Sequence, residues 1–158
     1  MKTSTLVVVD PDEINLSSLA SVMNDADIEC GIDDNEIYIL NSFDFPVYLS
    51  IDSESREIYI NSYLGIKRES SLIDLAFFIK KLNDEIHCHF NFNKSDDGRI
   101  QIGGSSTFSY YFGFHIESLL HQIQMFADRF VSGCFEDQEG SFVNYDTEGH
   151  IINMNISS

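Results

Sequence analysis

From Ile28 to Ile60 the apolar side chains fall on every second position in four successive runs, and short polar clusters separate the runs. Ile28, Cys30 and Ile32 form the first; Ile37 and Ile39 the second; Val47, Leu49 and Ile51 the third; Ile58 and Ile60 the fourth. A period of two places each set on one face of a strand. Asp33-Asp34-Asn35, Asn41-Ser42-Phe43-Asp44 and Asp52-Ser53-Glu54-Ser55 are rich in residues that turn the chain by bonding to their own backbone. The pattern predicts an antiparallel meander with one buried face, with strands at Glu36 to Leu40 and Pro46 to Asp52.

Helical spacing surrounds this meander. A first helix is expected from Asp10-Pro11-Asp12-Glu13, where Asp10 caps, Pro11 suits the first turn and Glu13 completes a capping-box spacing. Leu16, Leu19, Ala20 and Met23 continue its apolar stripe to Ala26 or Asp27. A second helix, capped by Ser70 with Asp74 in its first turn, carries Leu72, Leu75, Ala76, Ile79, Leu82 and Ile86. Phe77 and Phe78 widen that stripe, which predicts burial on more than one side. Lys80 and Lys81 suit its later half. A third helix from about His115 to Gly133 holds Ile116, Leu119, Leu120, Ile123, Phe126, Ala127 and Phe130 in step, with Gly133 as its stop.

Between the last two helices a second hairpin is expected. His87 to Asn93 alternates, Ser95-Asp96-Asp97-Gly98 turns the chain, and Arg99 to Ser106 returns with Ile100 and Ile102 inward. Thr107 to Phe114 is either a further strand or a loop. The predicted class is α+β, an antiparallel β-sheet of roughly five to six strands packed against α-helices in the order α-β-β-β-β-α-β-β-α, with the second and third helices on one apolar face. At 158 residues one domain is expected, spanning residues 1–158 with a core at about residues 10–135. Residues 136–158 form a tail, a hairpin or disordered; Ser141 to Tyr145 and Ile151 to Ile156 can pair around Asp146-Thr147-Glu148-Gly149.

The charge narrows the function. With 26 acidic residues against 9 basic ones, the net charge of −17 repels phosphate backbones and anionic membrane surfaces. It favours solubility and steers the chain toward basic partners. Cys30, Cys88 and Cys134 are odd in number and widely spaced, so they read as reduced thiols of a cytoplasmic protein. Leu6-Val7-Val8-Val9 is too short for a signal-peptide core, and no stretch approaches a membrane span.

No catalytic constellation is present, so an enzyme is not expected and no cofactor is implied. His87 and His89 are the sharpest metal candidates, since positions i and i+2 of a strand share a face. A third ligand would have to come from His115, His121 or a carboxylate, and the competing reading is a solvent-facing strand. The Asp33 and Ser95 turns lack the twelve-residue calcium loop. Gly103-Gly104 lacks the spacing and the Lys of a phosphate loop, and suits a bulge or a close backbone contact. The aromatic run offers the clearest interaction surface. In a strand, Phe108, Tyr110, Phe112 and Phe114 face one way and Tyr111 the other, and any aromatic left outside is a patch of the kind interfaces favour. Phe108, Tyr110, Tyr111 and Phe112 are therefore the candidate protein-binding residues.

From Pro46 to Arg129 the pattern resembles the YbjN-like family, described as bacterial sensory transduction regulators and similar in fold to type III secretion chaperones. The residues that carry the likeness are Val47-Tyr48-Leu49-Ser50-Ile51-Asp52 with Glu57-Ile58-Tyr59-Ile60, the helix end Leu82-Asn83, the turn Asp96-Asp97-Gly98-Arg99-Ile100, and Leu119, Leu120 and Phe126-Ala127-Asp128. The resemblance transfers no catalytic residue. It implies a compact α+β domain, often a homodimer, that binds polypeptide segments. The expected function is a non-enzymatic protein-binding module, chaperone-like or a sensory and regulatory adaptor, with another protein as partner and neither nucleic acid nor membrane. The alternatives are an acidic immunity-type inhibitor of a basic toxin and a metal-dependent enzyme.

Overall fold

The computed structural model describes residues 8–43, 45–67, 70–86, 88–95, 97–137, 140–145 and 150–152. In chain order these form β1 (Val8–Val9), a 3-10 turn (Pro11–Glu13), α1 (Leu16–Asp25), β2 (Gly31–Asp33), β3 (Glu36–Ile39), β4 (Val47–Asp52) and β5 (Glu57–Gly65). Then come α2 (Leu72–Glu85), β6 (His89–Lys94), β7 (Ile100–Ser109), β8 (Phe114–His115), α3 (Ile116–Phe135), β9 (Asn144–Tyr145) and β10 (Ile151–Ile152). Six strands hydrogen-bond in the order β2-β3-β4-β5-β7-β6. The class is the expected α+β, and β2–β3, β3–β4, β4–β5 and β6–β7 all pair antiparallel.

From β3 to β5 the meander follows its period of two, but the first expected run does not: Ile28 and Cys30 precede β2, and Ile32 on that edge strand is 44% exposed. In β5 the exposures alternate residue by residue, with Ile58, Ile60, Ser62 and Leu64 buried. Opposite them in register, Leu49 faces Ile60 and Ile37 faces Leu49, and all three are fully buried. The turns use the chemistry the sequence offered. Asp34, at φ 48°, sits in the two-residue loop between β2 and β3. Asp52 Oδ1 accepts from the backbone N–H of Glu54 at 2.9 Å and of Ser55 at 3.2 Å, so its carboxyl is held below the usual carboxylate range.

The described residues divide into two units, one from Met1–Asn61 with Ser106–Ala127 and one from Ser62–Ser105 with Asp128–Ser158. In the first, α1 packs on β2 and β3, burying Leu19 and Met23, and Phe108 meets Phe114 edge-on at 5.2 Å. In the second, α2 packs on β6 through Leu75, Ile79 and Leu82. There Phe90 of β6 stacks on Phe130 of α3 at 5.9 Å. Asn83 of α2 brackets the same residue: its Oδ1 accepts from the Phe90 N–H at 2.6 Å and its Nδ2 donates to the Phe90 carbonyl at 2.9 Å. That bond pair lies on an edge strand of the sheet.

Several sequence expectations are corrected. Helix one does not begin at Asp10. Asp10 caps only the 3-10 turn, Ile14 and Asn15 are extended, and α1 starts on a second capping box between Asn15 and Ser18. Ser71, not Ser70, caps α2. Helix two is not buried on several sides: Leu72, Ile73, Ala76 and Phe77 face solvent and Phe77 is 69% exposed. Gly133 does not stop α3, which runs to Phe135. A Cβ at Gly133 would lie 2.8 Å from Phe90 Cε1, so the glycine serves close ring packing instead. Of the two readings of Gly103-Gly104 the bulge fails, since both stay in register with Asn91 and Phe90, while close contact holds at Gly103, where a Cβ would run into the Asn91 side chain. His115 belongs to β8 and precedes the helix. The turn at 146–149 and the residues after 152 lie outside the described residues, while β9 and β10 pair antiparallel on either side of it.

The thiols are all less acidic than usual. Burial pushes Cys88 up to about 11, and burial also raises Cys30 and Cys134. At pH 8 the native Cys88 should react with a thiol reagent on the order of a hundredfold more slowly than free cysteine, and urea should abolish the difference. The sign for stability follows from the raised folded value: the contribution is intact below about pH 8.5 and is lost as pH rises toward the folded value. A Cys88→Ser variant should remove part of this alkaline loss, read from urea midpoints at pH 7 and pH 10. A native Cys88 as reactive as free cysteine contradicts the assignment.

Candidate protein-interaction site

The aromatic run is divided by a turn. β7 ends at Ser109, and the next residue, Tyr110, points inward and is 2% exposed. Its N–H donates to the carbonyl of Arg56 at 2.9 Å, and burial raises its phenol above the ordinary value. The chain then reverses through Tyr111 and Phe112 to Gly113, whose N–H returns to the Tyr110 carbonyl at 3.0 Å. Gly113 has φ 82°, and a Cβ there would stand 2.8 Å from the Val9 carbonyl oxygen, so the turn requires glycine. The strict alternation expected for 108–114 therefore fails at the turn. Phe108 is half-buried against Phe114, Tyr110 is core, and Tyr111 and Phe112 are both presented at the tip. They are 57% and 93% exposed, with rings edge-on at 5.0 Å.

Arg56 buttresses this tip. It takes the left-handed conformation, φ 56°, that closes the β4–β5 hairpin. Its Nη1 donates to the Tyr111 carbonyl at 3.2 Å, and its guanidinium lies 5.2 Å from the Tyr111 ring centroid. Its Nη2 pairs with Asp12 Oδ1 at 2.8 Å, which ties the 3-10 turn to the same point. Around Arg56 the local sequence is acidic: Asp10 capping the 3-10 turn, Asp12 and Glu13 within it, and Asp52, Glu54 and Glu57 in the hairpin. The result is two solvent-facing aromatics on a backbone held from several sides, in negative surroundings.

Sequence reasoning missed a second apolar surface. Leu72, Ile73, Ala76 and Phe77, with the stem of Lys80 beside them, form an exposed apolar face on α2. The signal was present: Ile73 and Phe77 stand four apart and out of phase with the buried Leu75, Ile79 and Leu82. Lys80 pairs with Asp84 at 2.9 Å beside this face.

Of the metal candidates, His87 lies outside the described residues and His89 is exposed on β6. Among the described residues no three His, Cys, Asp or Glu side chains converge on a common point. Among the described residues no helix is long and apolar enough to cross a membrane.

With the architecture in hand, the comparison with solved structures is decisive for the fold. YbjN from E. coli, described as a candidate transcription regulator, superposes with a TM-score of 0.68 at 14% identity, over 82% of this chain and 95% of YbjN. The chain has the YbjN fold. A second match is an uncharacterised protein from Methanothermobacter thermautotrophicus, with a TM-score of 0.56 at 12% identity, over 78% of this chain and 96% of that one. No family model and no curated protein matches the sequence. The YbjN fold is thus carried here by a sequence only 14% identical to that of YbjN.

Proposed function

We propose that the chain is a non-enzymatic protein-binding module, a cytoplasmic regulatory or adaptor protein that recognises a partner polypeptide. The observation that carries this is the Tyr111-Phe112 tip. Exposed aromatics on an anchored turn lose little freedom on binding and supply the kind of anchor that dominates interfaces. The matching partner has an apolar pocket rimmed by Lys or Arg, because the surrounding turns are acidic and the net charge of −17 steers basic surfaces inward. The likeness of the fold to YbjN, described as a candidate transcription regulator, supports the regulatory half of this reading.

The test is affinity capture with the full chain and its Phe112→Ser and Tyr111→Ser variants. A reproducible partner should be recovered at about 50 mM salt and fall away at about 500 mM as screening removes the charge attraction. Phe112→Ser should reduce recovery at least about tenfold while leaving the unfolding midpoint unchanged, since the ring faces water. Equal recovery by wild type and variant contradicts the reading. The same charge favours a second reading, an immunity-type inhibitor of a basic toxin; a recovered partner that is a basic enzyme silenced on binding would select it.

The chain is also proposed to act as a homodimer, through α2. Helical spacing puts Phe77 at the middle of the exposed face, with Asp74 to one side in the turn before it and Lys81 to the same side in the turn after. An antiparallel two-fold crossing centred on Phe77 therefore sets Asp74 of each copy beside Lys81 of the other. The apolar face would thereby be flanked by unlike charges paired across the axis.

A further inference from the structure

The segment Gly140 to Val143 is held on its unit the way a bound peptide is held. Phe142 stacks on Phe78 of α2 at 5.2 Å, and both Phe142 and Val143 are buried. The carboxylate of Asp137, itself 5% exposed, accepts three consecutive backbone N–H groups: Ser141 at 3.0 Å, Phe142 at 2.8 Å and Val143 at 2.7 Å. From the other side Lys67 donates its backbone N–H to the Phe142 carbonyl at 2.9 Å and its ammonium to the Gly140 carbonyl. Successive N–H groups closing on one anion form a nest. Five contacts thus grip main chain, which any sequence offers, and the burial of the Phe142 and Val143 side chains adds selectivity. That division of labour is the one used to recognise peptides.

We propose that this is a peptide-binding groove, occupied in the free protein by residues 140–143, whose exchangeable occupant is a peptide segment bearing Phe followed by a β-branched aliphatic residue. It lies in the unit that does not contain the Tyr111-Phe112 turn and does not depend on that reading. Gly140, with φ 66°, is where the chain enters the groove. A tethered occupant competes at an effective concentration in the millimolar range, so an outside peptide binds the unaltered protein weakly. Loss of the internal Phe weakens the tethered competitor and leaves its pocket open.

The experiment uses the full chain, wild type and Phe142→Ala, with a fluorescein-labelled peptide of sequence Gly-Ser-Phe-Val-Asn-Tyr, followed by anisotropy. Phe142→Ala should bind it at least about tenfold more tightly than wild type, and a peptide with Ser in place of its Phe should not bind. Equal affinity for both proteins, or binding indifferent to that Phe, overturns the proposal. A second measurement needs no variant. By hydrogen exchange on the wild type, the Phe142 and Val143 amides should exchange at least about a hundredfold faster than those of Ile79 and Leu82, because an exchangeable occupant opens locally. Exchange of all four at one rate would make the segment part of the core and overturn the proposal, and it decides the matter if Phe142→Ala does not fold.

Discussion

Phe90→Ala is expected to lower the free energy of unfolding by about 3–5 kcal/mol, the range for deleting a buried phenylalanine. The ring is 1% exposed, lies nearly parallel to Phe130 with 13° between their planes, and covers the backbone of α3 at Gly133. Its removal opens a cavity that the helix backbone cannot fill. The neighbouring glycine gives the sharper test. Gly133→Ala alone gains roughly 1 kcal/mol of helix propensity but overpacks against the Phe90 ring, at a cost of about 1–3 kcal/mol, so the net change is a loss. In the Phe90→Ala background the obstruction is gone, and the same Gly133→Ala change becomes stabilising. The four proteins of this cycle, compared by urea denaturation, should show that reversal of sign. Strict additivity would mean that ring and glycine are not in contact.

Phe77→Asp should convert a dimer into a monomer. The expected mass in solution falls from twice the 18.0 kDa chain to the chain itself, read by sedimentation equilibrium at micromolar concentration. A carboxylate at the centre of a two-fold face meets its own copy, and like charges brought together in a drying interface cost several kcal/mol. The fold should survive, since Phe77 is 69% exposed and makes no part of the Leu75, Ile79 and Leu82 stripe. Lys81→Asp should weaken association as well, and adding Asp74→Lys should restore it by re-pairing the charges. A wild-type protein that sediments at 18.0 kDa, or a Phe77→Asp variant that stays dimeric, rejects the α2 face as the interface.

From β3 to β5 the strands were legible because period two is a strong local signal: Ile37, Ile39, Val47, Leu49, Ile58 and Ile60 are all fully buried, whereas the run Ile28, Cys30 and Ile32 falls at the sheet edge, where alternation does not bring burial. The helices were legible as elements, but their ends and faces were harder to read. Asp10-Pro11 carries every mark of a helix start, yet Asn15 with Ser18 offers a second box five residues on, and local chemistry alone does not rank the two. On α2, hydrophobicity wraps more than half the circumference, so sequence cannot say which apolar residues meet the sheet and which meet water. The candidate site was half visible. An aromatic cluster was evident at 108–114, but the turn at Gly113 depends on a Val9 carbonyl more than a hundred residues away, and the buttress from Arg56 on a left-handed residue no pattern announces. The nest around Asp137 was invisible for the same reason: it is made of backbone N–H groups, which every residue but proline carries.

The amide of Asn83 has a further consequence for how this sheet ends. By taking both main-chain groups of Phe90, it acts as a one-residue imitation of a seventh strand. An incoming extended chain that began to zip along this margin would meet a position already satisfied and would have to break two good bonds to proceed. A single side chain thus raises the cost of adding a strand at that point of the margin.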